Sequence, residues 1–156
     1  MIFNRKKYRK GIFMVTYKFV RGKPKYLILK RKLHWKGFEF PKGGMEKSET
    51  SFETIKREIF EETGLPIKKI KNHNRSGKWK YNEDLKDRPG MIGQTWSLFS
   101  VEVGNGPIKI DKHEHSSFEW LSYEEALNKL TYENQKICLD IVNDWLKNES
   151  EEKTIW

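Results

Sequence analysis

Three glutamates, Glu58, Glu61 and Glu62, stand at i, i+3 and i+4 in the run Arg57-Glu58-Ile59-Phe60-Glu61-Glu62. On a helix, at about 100° per residue, they share one face beside the apolar Ile55 and Ile59. Carboxylates so close repel one another. The pattern is therefore either a solvated acidic face or a seat for a hard divalent cation, which takes oxygen ligands. Taken alone, it admits both.

The spacing predicts the helix that carries them. Thr50-Ser51-Phe52-Glu53 has capping-box form, Phe52, Ile55 and Ile59 form a core-facing stripe, and Gly64 then Pro66 end the run. Ahead of it, Ile12 to Val20 and Tyr26 to Leu29 read as a hairpin turned at Arg21-Gly22-Lys23-Pro24. Phe38-Glu39-Phe40 is a short extended piece leading through Pro41 to a Gly43-Gly44 loop. Beyond the helix, Ile67 to Ile70, Lys78 to Tyr81, Thr95 to Val103 and Phe118 to Leu121 read as strands, with a charged loop over Glu83 to Gly90. Ser122 caps a helix to about Lys129, and a last helix over Tyr132 to Lys147 has Ile137, Ile141 and Leu146 among its apolar positions. The expectation is one α/β domain over residues 1–148, with 149–156 a frayed tail.

The bulk properties fit a single folded domain. Of 156 residues, 36% are hydrophobic and 13% aromatic, with six Trp and nine Phe, anchors that a disordered chain lacks. The lone Cys138 excludes an intramolecular disulfide and a Cys-built zinc site, and falls in an apolar helical pattern as buried filler. No stretch approaches a membrane span, and Met1 to Lys7 lacks the apolar core of a secretion signal, so a cytoplasmic location is expected. The net charge is +9, and thirteen Lys and Arg precede the first acid, Glu39. Such a field favours polyanions, phosphates or nucleic acid; its bland counterpart is a solvated lysine-rich surface.

The surroundings of the glutamates decide between the two readings. Gly43, Glu49, Arg57-Glu58, Ile59, Glu61-Glu62, Gly64 and Leu65 fill every fixed position of G-x5-E-x7-R-E-U-x-E-E-x-G-U, where U is aliphatic. The chain thus resembles the Nudix hydrolases. The resemblance implies an α/β/α sandwich around a mixed β-sheet and hydrolysis of a nucleoside diphosphate linked to another group. It implies that Glu58, Glu61, Glu62 and the backbone carbonyl of Lys42 hold magnesium or manganese, and that Arg57 pairs with Glu49 to orient the loop. Catalytic roles fall to Glu58, Glu61, Arg57 and Glu49, with Glu58 accepting the proton of the attacking water.

Flanking segments narrow the resemblance. Tyr8-Arg9 followed by Gly11, Phe40-Pro41-Lys42-Gly43, and Ile92-Gly93-Gln94 before the Trp96 to Phe99 strand are similar to asymmetric dinucleoside polyphosphate hydrolases and RNA 5′-pyrophosphohydrolases. His113-Glu114-His115 with Trp120-Leu121 resembles the dinucleotide enzymes. This implies Glu114 as a further metal ligand and Tyr132 as an aromatic that stacks a base, although an ordinary core-packing aromatic fits there equally. Arg9, Lys42, Lys30, Arg31 and His115 are the implied phosphate contacts. Lys47-Ser48 stands where relatives carry a Pro-Gly turn, a change in loop stiffness. The expected substrate is a diadenosine tetraphosphate-like dinucleotide or a 5′-triphosphorylated RNA end, handled by a monomer or homodimer away from membranes. The alternatives are a house-cleaning nucleoside triphosphate pyrophosphatase and a binding module without catalysis.

Overall fold

The computed structural model describes residues 7–154, so the basic positions Arg5 and Lys6 and the terminal Ile155 and Trp156 lie outside the described residues. The elements run β1 (Lys7–Val20), β2 (Lys23–Arg31), β3 (Gly37–Glu39), β4 (Lys42–Gly44), α1 (Ser51–Thr63), β5 (Ile67–Lys80), β6 (Met91–Val103), β7 (His115–Leu121), α2 (Tyr123–Lys129) and α3 (Glu133–Thr154). They build one seven-stranded sheet in the order β3-β2-β1-β6-β5, with β4 added to β1 and β7 to β2. The β1–β6 pair is parallel and the others antiparallel, so the sheet is mixed.

Alternation along β1 sends even and odd residues to opposite faces. Ile12 and Met14 pack with Ile55 and Ile59 of α1, whereas Phe13, Val15 and Tyr17 pack with Ala126 of α2 and Cys138, Leu139 and Val142 of α3. The result is the expected α/β/α sandwich. The hairpin turns at Arg21 (φ 53°) and Gly22 (φ 78°), two left-handed residues whose twist matches the flanking strands.

Helix α1 begins and ends as its sequence dictates. Thr50 accepts from the Glu53 amide while Glu53 returns a bond to the Thr50 amide, and Gly64 closes the helix at φ 70°. Ser48, in the place of the Pro-Gly turn, sits at φ 71° in the left-handed region.

Several boundaries differ from expectation. Strand β5 is continuous where the sequence suggests two pieces, because the register shift between Asn72 and Ser76 breaks the alternation that would reveal one strand. Helix α3 runs on to Thr154 instead of ending near Lys147 in a frayed tail. Phe52 and Ile137 are each 51% exposed and leave their core stripes, although Phe52 still meets the Phe99 ring edge-on. Cys138 is fully buried, as expected of filler. Among the described residues, no helix is long and apolar enough to cross a membrane.

Candidate active site

Helix α1 offers its glutamates at graded depth. Glu62 is buried at 1% exposure, Glu58 is nearly so, and the Glu61 side chain is half exposed. Strand β4 crosses directly over Glu58. A Cβ on Gly43 would lie 2.2 Å from Glu58 Cδ, so only glycine lets strand and carboxylate pass this closely. A Cβ on Gly44 would likewise meet the Arg9 guanidinium.

Arg57 ties the loop to the helix. Its Nε and Nη2 donate to the two oxygens of Glu49 at 2.8 and 2.9 Å, Nη2 also donates to the Gly44 carbonyl at 2.9 Å, and Nη1 donates to Glu58 Oε1 at 2.8 Å. Glu49 further accepts from the Glu46 amide and the Thr54 hydroxyl. Arg57 therefore holds Glu49 down to about 2. The expected Arg57–Glu49 pair is present and bidentate, the arrangement that gives a guanidinium its directional strength.

Glu114 arrives from the loop before β7. One ligand atom each of Glu62, Glu114 and His115 lie within 4.8 Å of one another. Burial, reinforced by Glu62 and opposed by Arg57, pushes Glu58 up to about 7. Burial likewise raises Glu62, against the pull of His115. Glu62 Oε2 and His115 Nδ1, 3.1 Å apart, are both buried without a hydrogen-bond partner, so the contact is off the hydrogen-bonding direction. Crowded, desolvated carboxylates with an unsatisfied oxygen fit an oxygen-seeking divalent cation. Glu62 and Glu114 are the carboxylates brought together that would hold it, with Glu58 and Glu61 on the same helix outside that group.

A second charged layer lies behind the cluster. Glu39 is fully buried and takes Arg31 Nη1 at 3.2 Å, His115 Nε2 at 2.9 Å, Lys42 Nζ at 3.3 Å and Trp35 Nε1 at 3.2 Å. Burial alone would raise this carboxyl; Lys42, His115 and Arg31 together bring it down to about 2. His115 shows the inverse balance. Burial lowers it, but its contacts with Glu39 and Glu62 hold it at about 9.

This layer corrects two expectations. His115 is 0% exposed and wedged between two carboxylates, so it has no surface for a phosphate. Arg31, also buried, spends its guanidinium on Glu39, Glu114 and the Leu33 carbonyl, a strut under the site. Lys30 is exposed on β2 and, among the described residues, joins none of the site's ion pairs. Arg9 lies against Gly44 of β4, where an added Cβ would stand 2.2 Å from its guanidinium. Burial and Arg88 lower its pKa while Tyr81, Glu58 and Glu114 oppose them.

Around the Lys42 side chain opens a cavity of about 430 Å³ whose lining includes Phe13, Trp35, Trp79, Tyr81 and Tyr132. Lys42 Nζ stands 4.2 Å from the Trp35 ring centre and 5.2 Å from that of Trp79. Burial brings this amine down to about 8 against the pull of Glu39. Tyr132 lines the same wall, with its hydroxyl donating to the Lys36 carbonyl at 3.0 Å. From the facing loop, Arg88 donates to the Tyr81 hydroxyl and to Gln94 Oε1, and Asp87 pairs with His34 at 2.9 Å.

Trp35, Trp79, Arg88 and Glu39 are members of this site that the sequence patterns do not single out. A lone acid between Phe38 and Phe40 in a strand is the one available signal for Glu39. The tryptophans carry no spacing signal, because separate strands and loops bring them together.

Comparison with known proteins agrees with this architecture. The NUDIX domain family model matches residues 8–140. An RNA pyrophosphohydrolase of Francisella tularensis subsp. mediasiatica is 28% identical over 111 residues, covering 64% of this chain and 71% of that protein. Among solved structures, a NUDIX hydrolase from Listeria monocytogenes superimposes with a TM-score of 0.72 at 23% identity, covering 89% of this chain and 94% of that one. A C. elegans Ap4A hydrolase complex superimposes with a TM-score of 0.67 at 20% identity, covering 90% and 98%.

Proposed function

The chain belongs to the NUDIX domain family, and on that premise we propose that it is a divalent-metal-dependent pyrophosphohydrolase acting on the 5′-triphosphate end of RNA. The observation that carries this reading is an aromatic cavity of about 430 Å³ whose lining includes Lys42, the cation that leads through Glu39 and His115 to the carboxylates Glu62 and Glu114. A polyphosphate beside one stacked base fits that juxtaposition. The sequence relatives named RNA pyrophosphohydrolase support it. Diadenosine tetraphosphate-like dinucleotides are the second reading, favoured by the His113-Glu114-His115 segment and by the likeness to an Ap4A hydrolase.

A divalent cation, magnesium or manganese, supplies charge neutralisation for the phosphates and acidifies a coordinated water. The chain's residues do the rest. Arg57 donates to Glu58 Oε1 and so aims this carboxyl, the acceptor for the proton of the attacking water. Glu61, on the exposed rim, and the Lys42 backbone carbonyl would add further oxygen ligands to the bound cation. Arg9, beside Glu58 and Glu114, steers a phosphate toward the carboxylates. Trp35 and Tyr132 offer faces for the base.

The test is turnover with magnesium or manganese on triphosphorylated RNA, diadenosine tetraphosphate and a nucleoside triphosphate. RNA or the dinucleotide should be preferred, and Glu61→Gln and Glu62→Gln should each abolish most turnover with the fold retained. Preference for the mononucleotide would favour the house-cleaning alternative. Unchanged turnover in both variants would remove the metal-site assignment.

A further inference from the structure

Strand β5 is an edge strand of 14 residues, Ile67–Lys80. Its cations are Lys68, Lys69, Lys71, Arg75, Lys78 and Lys80, and it has no acid. All six are exposed, and among the described residues none lies within ion-pair distance of a carboxylate. A few lysines suffice to keep an edge from pairing with another chain. Six without one acid exceed that need.

The strand also carries or borders a row of rings. Trp79, at its end, lines the aromatic cavity. Gly77 pairs with Trp96, whose ring stacks on Phe13 at 5.0 Å and lies close against the glycine: a Cβ there would sit 2.5 Å from it. Farther along, His73 meets the Trp145 ring edge-on at 5.2 Å, and Lys69 Nζ stands 5.0 Å from the centre of that ring. Trp79, Trp96 and Trp145 all pack against the core cluster that faces α3. Trp79 and Trp96 therefore lie on the face of the sheet that α3, which carries Trp145, packs against, and all three rings are partly open to solvent. The row ends at Trp145 and Lys69, which line a second cavity together with Glu102 and Glu149, whose charge repels phosphate.

A run of exposed cations outside ion pairs, close to partly exposed rings, is how proteins hold single-stranded nucleic acid without reading its sequence. We propose that the basic β5 edge is a track for single-stranded RNA, running from the aromatic cavity at Trp79 toward Trp145 and holding the nucleotides that follow the 5′ end. This rests on the RNA reading above. A dinucleotide ends inside the cavity and gains nothing from the track.

The test compares the native protein with Lys69→Gln/Lys71→Gln/Arg75→Gln, three exposed positions away from the carboxylates. Substrates are diadenosine tetraphosphate and triphosphorylated single-stranded RNAs of about 3 and about 20 nucleotides, each over a salt series. The track predicts a KM for the long RNA raised about tenfold or more, with kcat unchanged. The salt dependence of log kcat/KM should flatten by about 2, from three lost contacts at roughly 0.7 each. The short RNA and the dinucleotide should stay within about twofold. An unchanged long-RNA KM overturns the track while leaving the RNA reading intact. An equal rise for short and long RNA also overturns it, since the cations would then act at the cavity. If the native protein hydrolyses the dinucleotide and neither RNA, the RNA reading fails and the track with it.

Discussion

Replacing Glu39 by Gln should destabilise the protein by roughly 3–5 kcal/mol, the range expected when one partner of a buried ion pair is removed. Glu39 is 0% exposed and faces Arg31, Lys42 and His115 at 2.9 to 3.3 Å. Those cations bring its carboxyl from an ordinary 4.5 to about 2, worth roughly 3 kcal/mol at neutral pH. Two independent routes thus reach a similar figure. The amide keeps the shape but not the charge, leaving three buried cations facing a neutral group. In urea, with a slope of about 2 kcal/mol/M, the unfolding midpoint should fall by about 2 M at unchanged slope. The pH dependence has a defined sign. A carboxyl depressed in the folded state contributes its stability above its unfolded pKa, and that contribution is lost as pH falls through the folded value. The gap between native protein and variant should therefore be full at about pH 6 and shrink from about pH 4.5 toward 2. A loss below about 1 kcal/mol, as for an exposed pair, would refute the reasoning. So would a gap that does not narrow in acid.

Other expectations concern the site directly. Gly43→Ala places a methyl 2.2 Å from Glu58 Cδ, so urea melts should show a loss of about 1–3 kcal/mol and turnover should fall with it; a variant as active as the native protein would contradict the close approach. Trp35→Ala, which removes a stacking face, should raise KM by about 1–3 kcal/mol in binding terms with kcat little changed, as read from initial rates; a kcat effect alone would place Trp35 elsewhere in the reaction. Because Glu58 is held near 7 without a cation, metal binding should release protons, and magnesium affinity should drop from about pH 8 to about pH 6. Calorimetry in two buffers of different ionisation heat reads that release directly, and a pH-independent affinity would count against Glu58 as a ligand.

The parts legible in the sequence are those written locally. The box spacing, the Thr50 cap and the Gly64 stop are all contained in a single helix and its flanking loops, and the structure reproduces them. Placing Glu114 beside Glu62 rests on resemblance, since nothing in the residues themselves joins a loop to a distant helix. His115 and Arg31 depart from expectation for the converse reason. A histidine and an arginine next to polyphosphate chemistry look like phosphate contacts until Glu39, 76 positions from His115, is seen between them. Phe52 satisfies a helical period yet lies on the shoulder of the helix, half outside the core. The aromatic cavity has no local signature because its rings come from two strands, the loops after β2 and β5, and the residue just before α3.

The parallel β1–β6 pairing also bears on how the protein acquires its shape. That seam is the centre of the sheet, and it joins Tyr8 to Gly93, Phe13 to Leu98 and Tyr17 to Glu102. The chain between must be drawn into a long loop before any of those bonds form, and such distant contacts slow folding. Arg9 and Gly11 sit on this seam, as does Gln94. During synthesis, the glutamate helix leaves the ribosome before β6 does. Its acidic face therefore waits, without Glu114 and without the completed sheet, until the last third of the chain arrives.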